Sequence, residues 1–352
     1  MTLFQQATPE ADKPAPAAVP AIDPTKFREV HNVSLGRCLL ACRVDPSGKF
    51  VATGGMKPQL TSVPLADSKF GTAEHRAVHK GWVAALAFHP AGGQLFTSDY
   101  TGMLCGWAFP LALETPTWTQ SAAHKGWVRT LAVSPDGSLV VTGGNDNMVR
   151  CWSTVDGKLV RELSGHTSHI YALAFHPTGM HLVSADLRGI VKHWELPAGR
   201  EVRELDFKTM YGEQGDVRLS GVRSLTFHPD GRLLACAGMS SFGGLGDGIG
   251  APTVTLLDWQ TGQQQARLVP KEAHRSFVSK AFFHPAGYVL AATGGVDGGA
   301  FLAWKLGETE PSAHIKLKDS AWGLDLHPNG TQLVCAHHDH QLRIYDLLPP
   351  PA

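Results

Sequence analysis

Short apolar runs bounded by turn residues recur along nearly the whole chain, and none lengthens into a helical stripe. "WVRTLAV", from Trp127, leads into "SPDG", which turns the chain; "SLVVTGG" is a second run, "NDN" a second turn, and "MVRCW" a third run. A fourth, "KLVREL", follows the Asp-Gly of "TVDGK". This pattern predicts four short antiparallel strands, with proline presetting φ and glycine accepting positive φ at the first turn.

The same Pro-x-Gly signal is led by Asp45, His89, Ser134, His176, His228, His284 and His327, at intervals of 42–45 residues apart from two of 52 and 56. A four-stranded unit repeating at this period is one blade of a propeller, which buries both faces only by stacking on its copies. The predicted fold is all-β: one seven-bladed β-propeller over residues 26–348. After "QLRIYDL" only "LPPPA" remains, so the seventh blade lacks an outer strand. "KFREVHNV", Lys26 to Val33, has no blade of its own and is predicted to fill that place, covering an open β edge. Residues 1–25, rich in alanine and proline, and residues 349–352 are expected to be tails. Both long intervals involve the fifth repeat, with "FKTMYGEQGDVRLSG" before its inner strand and "MSSFGGLGDGIGAPT" between its second and third. Loops of this length are uncommon unless functional or disordered, and the two readings are partner contact on one face and plain surface decoration.

Taken with their turns, these repeats resemble the WD-repeat family of seven-bladed β-propellers over Lys26 to Leu348. In that family a His, a Ser or Thr, an Asp and a Trp form a hydrogen-bonded tetrad in each blade. The third repeat matches at every position, with His124, Thr142, Asp146 and Trp152. In the second, His79, Thr97 and Trp107 fit but Thr101 replaces the Asp; in the fourth, His166, Ser184 and Trp194 fit but Arg188 does so. The sixth has His274, Thr293, Asp297 and Trp304 with one extra residue before the Trp. The seventh keeps Asp339 and ends in Tyr345-Asp346, with Cys335 at the Ser/Thr place. The first and fifth lack the tetrad, although Trp259 ends the fifth.

Charge adds an exclusion. Lys plus Arg and Asp plus Glu both total 31, so no global field draws in nucleic acid. No apolar run approaches a membrane span, and the N-terminal segment has acids and prolines where a signal peptide needs an apolar core; a soluble cytoplasmic protein is expected. The six cysteines sit mostly in strand-like runs with no CxxC, as buried reduced thiols do. Of 18 histidines, five lead the Pro-x-Gly turns, which a ring keeps apart; His337, His338, Asp339 and His340 share one turn, where neighbouring side chains diverge. Phosphate-loop, dinucleotide, zinc-protease and nucleophile-elbow motifs are absent. No catalytic residue, cofactor or metal is assigned.

The family resemblance implies a noncatalytic scaffold binding proteins or peptides on its loop faces. The alternative class is a propeller hydrolase or lactonase, whose channel site needs converging carboxylates, whereas the inner strands read "ALAFHP", "TLAVSP" and "SLTFHP". Seven residues before the turn-leading residue stand Trp82, Trp127, His169 and Phe277, with Cys38, Gly221 and Ser320 in the other blades, and two residues earlier lie Lys80, Lys125 and Arg275. The resemblance puts these near the channel mouth, and aromatic plus cationic groups are the composition of a binding hot spot. Tyr100 and Arg188, in adjacent turns, extend the patch. The expected partner is an acidic protein or peptide, bound by a monomeric propeller within a larger complex.

Overall fold

The structure, a computed structural model, describes residues 20–348 apart from 112–113, 208–209, 211, 215–216, 220, 241–249, 273–274 and 296, and the backbone alone of 212–214 and 217–219. Most of the second fifth-repeat insertion lies outside the described residues, and in the first the backbone of Gly212–Gln214 pairs antiparallel with Val217–Leu219.

The Pro-x-Gly turns set the architecture. In all seven, the Gly N–H donates to the carbonyl of the turn-leading residue at 2.8–2.9 Å, and the glycine takes a φ between +72° and +82°. Only glycine adopts that conformation without strain. A second reason applies where blades meet: a Cβ on Gly48, Gly137 or Gly231 would lie 2.0–2.7 Å from the imidazole of His327, His89 or His176 on the neighbouring blade. These histidines do more than lead turns. In His284 and His327, Nδ1 accepts the backbone N–H two residues on, at 3.0 and 3.1 Å. That fixes the tautomer, so Nε2–H donates to the glycine carbonyl of the next turn, from His176 to Gly231 at 3.2 Å, His284 to Gly330 at 2.7 Å and His327 to Gly48 at 3.0 Å. One residue type thus closes its own turn and stitches its blade to the next.

Seven antiparallel sheets follow, one per repeat. Their inner strands are Leu39–Val44, Val83–Phe88, Val128–Val133, Ile170–Phe175, Val222–Phe227, Ser276–His284 and Ala321–Leu326. In the first blade the outer place is shared by Glu74–Arg76 and Lys69–Phe70, both paired with Lys57–Ala66. Among the described residues there is no α-helix, and a 3₁₀ turn stands at Pro24–Lys26. The core is a series of layers between blades: Val141, Val149 and Cys151 of blade 3, for instance, pack on Ile170, Leu173, Leu182 and Trp194 of blade 4.

The ring closes as the sequence predicts. Arg28–Ser34 pairs antiparallel with Gln341–Asp346, running from Arg28 opposite Asp346 to Ser34 opposite Gln341. Just ahead of it, Phe27 stacks between Phe301 and Tyr345, with centroids 4.0 and 4.4 Å away. Earlier residues also pack: Ile22 is buried in the layer between blades 6 and 7, and the Asp23 N–H donates to the Leu348 carbonyl.

The hydrogen-bonded tetrads depart from the sequence pattern in an orderly way. In blade 3, Trp152 Nε1 donates to Thr142 Oγ1 at 2.8 Å, Thr142 meets His124 Nε2 at 2.7 Å, and His124 Nδ1 meets Asp146 at 2.7 Å. Blades 2 and 4 do not lack their aspartate: neither Thr101 nor Arg188 stands in for it. Asp99, two residues after Thr97, lies 3.3 Å from His79 Nδ1, and Asp186, two after Ser184, lies 3.1 Å from His166 Nδ1. The carboxylate comes from the end of the second strand instead of the turn beyond it. In blade 6 the extra residue moves Trp304 opposite Val289, with Leu302 opposite Ala291. The indole N–H of Trp304 meets no acceptor among the described residues; His274 lies outside them. In blade 7, His337 takes the strand-end place, and its Nε2 meets Tyr345 Oη at 3.2 Å. Asp339 is drawn off by Arg343, at 2.8 Å.

Candidate interaction site at the channel mouth

Every inner strand breaks register by one residue soon after it begins, between Leu39 and Ala41 in blade 1, Val128 and Thr130 in blade 3, and Ala321 and Gly323 in blade 7, and likewise in the other four. A bulge leaves its extra residue unpaired and re-aims that side chain. Here the extra residues are Leu40, Ala84, Arg129, Tyr171, Arg223, Ser279 and Trp322. All seven line one cavity of about 120 Å³ at the head of the channel, completed by Tyr100 and Phe277.

The large members form an arc of rings and guanidinium groups. Trp82 lies 5.5 Å from Tyr100, which stacks on Trp127 at 4.0 Å, parallel within 1°. Arg129 lies 4.4 Å from the ring centroids of both Trp127 and Tyr171, and its Nε donates to Asn145 Oδ1 at 2.7 Å. On the other side of the arc Arg223 lies 5.4 Å from Tyr171 and 4.1 Å from Phe277, which meets Trp322 at 5.3 Å. Each cation–ring contact contributes about 0.5–2 kcal/mol, so the arc is held in shape before anything binds. Burial raises the pKa of the Tyr100 phenol, which stays protonated at neutral pH.

Of the residues predicted from the sequence, the structure brings Trp82, Tyr100, Trp127 and Phe277 together in this arc. Trp82 and Trp127 keep 41% and 38% of their surface exposed, unusual for tryptophan in a domain whose other large apolar rings are covered. Lys80 and Lys125 are exposed beside them; their backbone N–H groups are held by Asp99 and Asp146 at 3.1 Å. Arg275 is engaged elsewhere, in a two-pronged pair with Asp297 at 2.7 and 3.0 Å. Arg188 is exposed, with its N–H held by Asp186, and His169 is part-buried and outside the arc.

Sequence reasoning missed Arg129, Tyr171, Arg223 and Trp322. They stand five residues before the turn-leading residue, two beyond the positions it selected. The signal was available: each is a large polar or aromatic residue interrupting an otherwise small or apolar strand.

Deeper in the structure, Arg43, Lys280 and Asp325, on the inner strands of blades 1, 6 and 7, form an electrostatic cluster. Burial lowers Lys280 to about 7, with Arg43 adding to the effect and Asp325 opposing it. Burial raises the Asp325 carboxyl, which accepts the Val44 N–H at 2.8 Å. The turn at 337–340 spreads its side chains: His337 is buried, His338 and His340 are exposed, and Asp339 faces Arg343. Cys42, Cys105 and Cys151 are buried thiols pushed up to about 12 by burial, which suits packing and not nucleophilic chemistry.

The family model described as WD domain, G-beta repeat, matches residues 115–153, 157–195, 211–242 and 309–346. The first, second and fourth matches run from the outer strand of one blade through the third strand of the next. No curated protein matches the chain.

Proposed function

Because the chain belongs to the WD-repeat family of seven-bladed β-propellers, we propose that it is a noncatalytic scaffold that holds a protein or peptide at the channel mouth. The observation that carries this reading is the continuous arc from Trp82 to Trp322, with two half-exposed tryptophans at its open end. Large rings held in place bring contact area at low entropic cost, the property of binding hot spots. The arc lies on the face bearing the turns between second and third strands, where Lys80 and Lys125 add charge. Trp127 bridges blades 2 and 3 through its stack on Tyr100, yet both tryptophans keep about two-fifths of their surface, 41% and 38%, available to a partner.

We place this activity in a reducing, cytoplasmic setting. All six cysteines are free, which supports that setting, and no helix among the described residues is long and apolar enough to cross a membrane. The test is an affinity capture comparing wild type with Trp82→Ala/Trp127→Ala and with Lys80→Glu/Lys125→Glu. Both variants are expected to lose the same partners while keeping the wild-type circular dichroism spectrum. Retention of every partner by both folded variants would move the binding face elsewhere.

A further inference from the structure

Two guanidinium groups flank Tyr171 in the wall of the channel-mouth cavity, and no acidic side chain is among that cavity's lining residues. The composition contrasts with that around other arginines of the chain. Arg150 is matched by Asp146 and Glu162, Arg275 by Asp297, and Arg343 by Asp339 and Glu29. Arg129 instead meets an amide oxygen and the rings of Tyr100, Trp127 and Tyr171, and forms no ion pair among the described residues. Ring faces and an amide orient a guanidinium without neutralising it. The exposed Lys80 and Lys125 add further positive charge outside the cavity, in a chain whose net charge is zero. The positive potential is therefore local.

Size narrows the occupant. The cavity, about 120 Å³ and open to solvent, is on the scale of a side chain and not of a folded element. Beside it lie the solvent-exposed parts of Trp82 and Trp127, on which apolar residues can rest. A groove for nucleic acid would need cations spaced along a track; here they converge on one opening.

We propose that the channel mouth takes a linear acidic peptide segment, one Asp or Glu carboxylate entering against Arg129 while neighbouring apolar side chains cover Trp82 and Trp127. This rests on the reading of the rim as the partner site and specifies what the partner must offer. A carboxylate matches the planar fork of a guanidinium, and the resulting bonds are charge-assisted.

The test uses the full chain and a library of random peptides displayed on phage. Selected peptides are synthesised with a fluorescent label, alongside copies in which each Asp or Glu becomes Asn or Gln, and titrated by anisotropy against wild type, Arg129→Met, Arg129→Lys and Trp82→Ala/Trp127→Ala. Selected sequences are expected to be enriched in Asp and Glu next to apolar residues. Amide replacement of one acid is expected to weaken binding by about tenfold or more, and Arg129→Met to do the same, with Arg129→Lys between. Raising NaCl should weaken the acidic peptides and spare the amide copies. The amide arm uses only wild-type protein, so it decides even if Arg129→Met misfolds. Peptides that need Trp82 and Trp127 but show no acid preference would overturn this proposal and leave the rim reading intact. Peptides indifferent to every rim variant, or no selected peptide at all, would overturn both. Short single-stranded RNA bound more tightly than acidic peptide, with the same Arg129 dependence, would also overturn it by assigning the site to phosphate.

Discussion

Replacing Asp99 with alanine tests whether a strand-end carboxylate does the work of the turn aspartate. Asp99 is fully buried and accepts hydrogen bonds from His79 Nδ1, the N–H groups of Lys80, Gly81, Thr101 and Met103, and the Thr101 hydroxyl. In Asp99→Ala the donors on Lys80, Gly81 and Thr101 lie near the surface and can turn to water. Those of His79 and Met103 are buried, and each buried donor left unmatched costs about 1–3 kcal/mol, so the expected loss is about 3–4 kcal/mol. Thr101→Ala removes one exposed hydroxyl bond and should cost less than about 1 kcal/mol.

A pH dependence follows from the same contacts. Burial by itself would raise the Asp99 pKa, but the bonds from His79, Met103 and Thr101 outweigh it and hold the carboxyl below its ordinary value. A depressed folded-state pKa means stability that is fully present above the unfolded value, about 3.9, and fades as the pH falls through the folded value. Urea unfolding followed by tryptophan fluorescence should therefore show the full gap between wild type and Asp99→Ala at neutral pH and a narrower one on acidification. Finding Asp99→Ala within about 1 kcal/mol of wild type, or Thr101→Ala equally costly, would refute the substitution of one aspartate position for the other.

Three further outcomes are expected. Deleting residues 1–34 strips the Gln341–Asp346 strand of its partner and removes the Phe27 stack, so melting should fall by roughly 10 °C or more with aggregation, while deletion of 1–19 does little; equal melting temperatures would refute the closure. His193 is buried and held to about 3, first by burial and then by His181 and Arg203. Because an unfolded histidine takes its proton near 6.5, stability should fall below that pH, by about 2 kcal/mol at pH 5, and His193→Leu should remove that share from a stability-against-pH curve. Lys280, lowered to about 7 by burial, binds a proton more readily unfolded than folded from there to about 10.4, so stability should rise with pH over that window. Because the Lys280 side chain keeps some water contact, Lys280→Met is expected to gain only about 1–2 kcal/mol at pH 7 and to flatten the slope, both read by urea unfolding.

The fold was legible because each blade states its strands with local signals. Pro-x-Gly marks the first turn by a steric rule, and a positive φ at Gly137 or Gly330 is forced by sequence alone. The closure by Arg28–Ser34 was legible by elimination, since one strand was missing at one end and one was spare at the other. Hydrogen-bond partners were less legible. Asp99 and Asp186 escaped a search at a fixed offset because two backbone positions, the strand end and the turn beyond it, bring a carboxylate to the same imidazole. The register bulges left only a weak trace, a large polar or aromatic residue within a small or apolar strand: "WVRTLAV" and "IYALAF" alternate plausibly without a bulge, and the pairing is what shows Arg129 and Tyr171 to be extra residues.

Those bulges separate what holds the ring from what the ring presents. At the turn glycine the seven repeats hold the same residue, because a positive φ, and at Gly48, Gly137 and Gly231 a neighbouring imidazole, permit little else. At the bulge they hold leucine, alanine, arginine, tyrosine, arginine, serine and tryptophan. A side chain turned into the channel packs in no blade core, so its identity is free of the constraint that makes the repeats alike. The neighbouring residues that do face the core, Leu39, Val83, Val128, Ile170, Val222, Val278 and Ala321, are all aliphatic and fully buried. Two residues side by side on one strand thus answer to different demands, and comparing the repeats with one another separates the two. At the bulge the rings and guanidinium groups stand on blades 3, 4, 5 and 7, with Phe277 beside Ser279 supplying the ring of blade 6, while blades 1 and 2 hold only Leu40 and Ala84. Trp82 and Tyr100 then reach the arc from blade 2 by its loops instead of its bulge. An asymmetric mouth on a nearly symmetric ring orients an asymmetric ligand, as a single extended peptide is.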